Sequence, residues 1–258
     1  MPDPLGELNS RIAELKVNLT FVALASKLRP RIGEAIQWSS QGEVLSIIRD
    51  FMNSKAVRAE GVYGSLFVAL MASFERYIRL LIIHAVELLS AKAKTYDELP
   101  PQLARRNLVL TGRVLAASDA PRDYLTLDIH SLISNLASCK SGNAAFRLNA
   151  KAFCTTVTGS GPAVIEEALK LVGVQEFWDE VGSETKLAEL LGSTGPRETG
   201  SRARERLKDL CRWRNQLAHG GDEEIALSES QIREAIDFVL LFGSGLSKAV
   251  NKHLHRSN

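Results

Sequence analysis

The stretch CRWRNQLAHGG, Cys211 to Gly221, sets Arg214 and His219 five residues apart, with Asn215 beside the arginine. A guanidinium is a planar donor that stays charged at any physiological pH. An imidazole titrates near neutrality and can take or give a proton. These are the residue types that acid–base chemistry at an anionic centre uses. On a helix turning about 100° per residue, Leu207, Leu210, Cys211, Leu217 and Ala218 form one apolar stripe with Arg214 in its middle. Taking a guanidinium out of water is costly without a partner, so a charge in that position asks for a reason. His219 falls off the stripe on the side of Asn215, its i−4 neighbour. Positions i and i+5 diverge, so Arg214 and His219 border one groove only if the helix stops at His219, as Gly220 and Gly221 suggest, or if a second copy crosses there. The plainer alternative is an ordinary helix end, where a histidine complements the dipole.

The elements that must position these residues read as helices. Aromatics make up only 6% of the 258 residues while Leu and Ala abound, which favours helices over strands. The fold class expected is all-α, a single multi-helix domain with no linker that would separate two cores. Helical spacing runs from Leu5 to Leu28, where Arg29-Pro30 is expected to end it, and from Gly42 to Met52. A long helix spans Tyr63–Ala93, and others span Leu103–Ala117, Leu125–Leu136, Ala163–Val172 (with Gly173 as C-cap) and Thr185–Leu191. Residues 144–158 fit no one pattern. GSTGPRETGS, Gly192–Ser201, reads as a mobile loop before the Arg202–Ala218 helix, and Ser228 or Ser230 caps the last one.

Composition narrows the chemistry. The net charge of +2 announces no nucleic-acid partner by itself, so any electropositive site must come from local clustering. Cys139, Cys154 and Cys211 have no zinc-like spacing, and a scattered odd set suits a reducing cytoplasm. No acidic cluster has metal-ligand spacing, and no GxGxxG or GxxxxGK[ST] occurs, so neither metal nor nucleotide cofactor is expected. The longest apolar segment contains Glu75, Arg76, Arg79 and His84, which suits a buried helix and not a membrane span. His84 reads as a packed core residue, and His253 and His255 as bystanders in a tail. Glu75 lies among Val68, Met71, Ala72, Ile78, Ile82 and Val86. It can pair with Arg79 at i+4 or reach Arg214 across the core.

RNQLAHG resembles the RxxxxH motif of HEPN domains, in which a polar residue follows the arginine. The helical order is similar too: an acidic residue in an earlier apolar helix (Glu75 in MASFERYIRLLI), the motif at the end of a late helix, and one more helix after it. ALKLVGVQEFWDEVG resembles the RiboL-PSP and MAE-type branches. The resemblance covers about residues 62–250 and implies a HEPN-like helical bundle, residues 56–258, behind an N-terminal helical extension, residues 1–55. It further implies a metal-independent RNA endonuclease, a toxin or antiviral-defence effector, that leaves 2′,3′-cyclic phosphate ends. Arg214, His219 and Asn215 would be catalytic and Glu75 supporting. RNA, tRNA among the candidates, would be held by Arg206, Lys208 and Arg212, with Arg105-Arg106 and the KHLHR tail as further cations. One histidine per chain leaves an acid or a base missing, which the family supplies by dimerising into a composite site. A cognate antitoxin or defence-system protein is a further implied partner. The competing expectation is a catalytically silent HEPN-like module that binds a protein partner or acts as an antitoxin.

Overall fold

A computed structural model of the chain describes residues 3–37, 59–117, 128–219 and 225–256. Among them every regular element is helical: α1 Pro4–Gln37, α2 Ala59–Lys92, α3 Pro101–Ala116, α4 Ile129–Ser138, α5 Ala150–Phe153, α6 Pro162–Leu171, α7 Phe177–Val181, α8 Thr185–Leu191, α9 Pro196–His219 and α10 Glu229–Arg256. The expected Gly42–Met52 helix and the boundary at residues 55–56 lie outside the described residues. The fold divides into two compact units. One takes Met1–Glu7, Phe74–Lys208 and Leu241–Asn258; the other takes Leu8–Ser73 and Asp209–Leu240.

In the first unit the later turns of α2 bury Phe74, Tyr77, Ile78, Ile82 and Val86, and the later turns of α10 bury Phe242, Leu246 and Val250. Phe242 meets Phe74 edge-on at 5.8 Å and Trp178 at 5.6 Å between ring centres. Burial pushes the Tyr77 hydroxyl pKa up, which keeps it a donor. It donates to the Gly243 carbonyl at 2.6 Å and shares a hydrogen bond with Ser247 Oγ.

The shorter helices α3, α4 and α5 meet around a buried polar hub. The Asn149 main-chain N–H donates to Asn107 Oδ1 at 2.9 Å. Its side-chain amide donates to Thr111 Oγ1 and the Leu132 carbonyl, while its Oδ1 accepts from Asn135. Asn107, Thr111 and Asn149 are all buried, and each has its partner. That is the condition under which buried amides are tolerated.

In the second unit α1 buries Leu8, Ile12, Leu19 and Ala23. The first turns of α2 bury Tyr63, Phe67, Leu70 and Met71, α9 buries Leu210, and α10 buries Ile232, Ile236 and Val239. Lys16 on α1 pairs with Asp237 on α10 at 3.2 Å on the surface of this unit.

Three expectations change. The first helix does not stop at Arg29-Pro30 but runs on to Gln37. Proline already has helical φ, so the chain gives up one hydrogen bond there and continues. Residues 144–158 hold the four-residue α5 and a 3-10 turn, Cys154–Thr156, elements too short for a period to show. GSTGPRETGS is mostly not a loop, because α9 already begins at Pro196. Thr199 is fully buried and donates to the Gly195 carbonyl at 2.8 Å. A Cβ on Gly200 would sit 2.5 Å from the Trp178 carbonyl oxygen. One on Gly182 would sit 2.7 Å from Gly200 N and collide with the Pro196 carbonyl oxygen. These glycines let α7 and the first turn of α9 touch backbone to backbone.

Candidate active site

α9 carries the residues of interest on its last turns. Ala203, Leu207 and Leu210 are fully buried, as the apolar spacing requires. Beyond Leu210 the helix opens to solvent: Cys211, Trp213, Arg214, Gln216 and Leu217 are half-buried, and Asn215, Ala218 and His219 are exposed. Its end is steadied by α2. Trp213 packs against Phe67 at 6.0 Å between ring centres, and a Cβ on Gly64 would lie 3.2 Å from Leu217 Cδ2. Gly64 and Phe67 are supporting residues that the sequence reading passed over. The signal available was a glycine interrupting an otherwise apolar helical run.

Arg214 therefore departs from expectation. It does not lie at the centre of a sealed stripe but at its open end, half in water. That spares it the several kcal/mol that full desolvation of an ion costs. Its Nη1 donates to Asn215 Oδ1 at 3.2 Å, which fixes one edge of the guanidinium and leaves its other donors to bind an anion. His219 is the last residue of α9, one turn beyond Asn215 on the same exposed face. A cation with a fork of donors, an amide that orients it and a solvent-facing imidazole thus share the end of one helix.

Glu75 forms an ion pair with Arg79, its i+4 neighbour, and both side chains are largely withdrawn from solvent. Arg79 also donates to the Val157 carbonyl from Nε at 3.3 Å and from Nη2 at 3.1 Å, so the pair pins the turn after α5. Of the expected substrate-binding cations, Lys208 pairs with Glu205 at 3.5 Å and Arg212 with Asp209 at 2.7 Å, both on the surface of α9. Arg206 is half-buried. Among the described residues no three His, Cys, Asp or Glu side chains gather as metal ligands would. No described helix is long and apolar enough to cross a membrane.

The family model described as RiboL-PSP-HEPN matches residues 43–252. No curated protein and no solved structure matches the chain.

Proposed function

The chain belongs to the RiboL-PSP branch of HEPN domains, and from that membership we propose that it is a metal-independent RNA endonuclease. The observation that carries the reading is the grouping at the end of α9: Arg214 held by Asn215, and His219 exposed one turn on. RNA brings its own nucleophile. His219 of one chain takes the proton of a 2′-OH as that oxygen attacks the adjacent phosphorus. The O2′–P bond forms, the P–O5′ bond breaks, and the departing O5′ is protonated by an acid. The products are a 2′,3′-cyclic phosphate and a 5′-hydroxyl, and no cofactor is required. Arg214 stabilises the extra negative charge on the non-bridging oxygens in the transition state.

The acid is His219 of a second copy, in a two-fold dimer that brings two motif helices to one cleft. Half-buried Leu217 and exposed Ala218 beside the motif supply apolar surface for such a contact. Glu75 acts at one remove, by fixing Arg79. Arg206, Lys208 and Arg212 add positive charge along the same helix. A toxin or defence role, against tRNA or other RNA and under the control of an antitoxin or defence-system protein, suits such an enzyme.

Incubating total RNA and tRNA with the protein in EDTA tests the proposal. Fragments ending in 2′,3′-cyclic phosphate are expected, and chelation should leave the rate unchanged. Absence of cleavage on either substrate would favour the silent, partner-binding reading. Sedimentation velocity over a concentration series should show a dimer of twice 28.3 kDa. A chain that cleaves RNA as a monomer at every concentration would remove the composite site.

A further inference from the structure

Cations in this fold are mostly engaged. Arg202, Arg204, Lys208 and Arg212 on α9 pair with Glu198, Glu166, Glu205 and Asp209. Arg233, Lys248 and Lys252 on α10 pair with Glu229, Glu184 and Glu180. The segments around the Asn149 hub carry a group of six that is not. α3 has Arg105, Arg106 and Arg113 in its 16 residues and no carboxylate. Lys140 and Arg147 follow on the loop after α4, and Lys151 on α5, which packs against α3. All six are exposed, and none pairs with a carboxylate among the described residues. Between residues 128 and 156 the one carboxylate is Asp128, which caps α4 by accepting from the His130 and Ser131 N–H groups; Asp97, from the loop before α3, is engaged by Ser141 Oγ and the Gly142 N–H.

The three arginines are also grouped. Leu103, Asn107, Leu110 and Thr111 face the core. Helical spacing places Arg105, Val109, Gly112 and Arg113 on the opposite side, with Arg106 two turns before Arg113. Gly112 has open space where a Cβ would be. Its folded surroundings do not require a glycine, and a mid-helix glycine costs about 0.5–1 kcal/mol against alanine. What it provides is a low point between arginines, where a bulky chain can come close to the helix.

We infer that the outer face of α3, through Arg105, Arg106 and Arg113, docks the sugar–phosphate backbone of RNA and supplies most of the chain's electrostatic affinity for it. Cations without carboxylate partners can displace the counterions condensed on RNA phosphates outright, whereas paired ones must first give up a carboxylate. The inference rests on the RNA-acting reading above and names a second surface for that substrate.

Fluorescence anisotropy of a labelled single-stranded RNA of mixed sequence, titrated with the full chain carrying His219→Ala across a potassium chloride series, tests it. Adding Arg105→Gln, Arg106→Gln and Arg113→Gln should weaken binding about tenfold or more and flatten the log K against log salt slope by about 2. Replacing the same three by Lys should preserve the slope, and circular dichroism should show unchanged helicity for both triples. Removing equal charge elsewhere, with Arg233→Gln, Lys248→Gln and Lys252→Gln, should leave the slope intact. An unchanged affinity and slope in the α3 triple overturns the inference, as does an equal loss in the α10 control or RNA that fails to bind at all. Binding that depends on α3 in a wild-type chain that never cleaves would refute the enzyme reading alone.

Discussion

His219→Ala is expected to lower RNA cleavage in EDTA by about 10²–10⁴-fold, the range that loss of a positioned general acid or base produces. If the dimer uses one imidazole as base and the other as acid, a single substitution removes both, which places the loss toward the upper end. The same change should barely touch stability. His219 is exposed and terminal on α9, so its side chain takes no part in the buried core. Arg214→Lys should also cost about 10²–10³-fold, because a lysine is a point charge and cannot span two phosphoryl oxygens in the plane of a fork. Initial rates on one RNA, read beside thermal melts of each variant, check both. Cleavage within threefold of wild type in His219→Ala would end the proposed role for that residue.

Gly200→Ala and Gly182→Ala are each expected to destabilise the fold by about 3 kcal/mol or more, at the top of the overpacking range. The obstacle in both cases is main chain. The Gly200 methyl would meet the Trp178 carbonyl oxygen at 2.5 Å and its carbon at 2.8 Å, and no rotamer change relieves that. Gly112→Ala makes the contrast. With nothing within 4 Å of the new methyl, it should stabilise by about 0.5–1 kcal/mol through helix propensity alone. Urea midpoints of the three variants decide the matter, and a Gly200→Ala midpoint at or above the wild-type value would show that α7 and α9 do not meet as described.

Helical periodicity made the long elements legible. The apolar spacing of α2, α6, α8 and α10 is regular, and Ser228 does cap α10, with Gln231 reaching back to it. The family expected from the sequence is the one whose model matches residues 43–252. What stayed hidden depends on neighbours distant in sequence. The GSTGPRETGS stretch looks like a loop until Trp178 and Gly182 arrive to explain Gly200. Arg214 looked buried because a projection assumes that the whole stripe is covered, and burial ends at Leu210. The motif helix was expected to hold RNA through Arg206, Lys208 and Arg212, yet Lys208 and Arg212 pair with carboxylates at i+3 spacing. Sequence counts charges; the fold decides which are already spoken for.

The polar hub at Asn149 bears on how the chain avoids wrong answers. A small cluster of Leu and Ala side chains can repack in several registers at nearly equal energy. Hydrogen-bonded amides cannot. If α3 slipped by one residue, Asn107 would leave the Asn149 N–H, and Arg106 or Leu108 would take its place. Each donor stranded in that way costs about 1–3 kcal/mol. The hub therefore contributes less to the depth of the native minimum than to the height of its competitors, and it sets which side of α3 is left facing water.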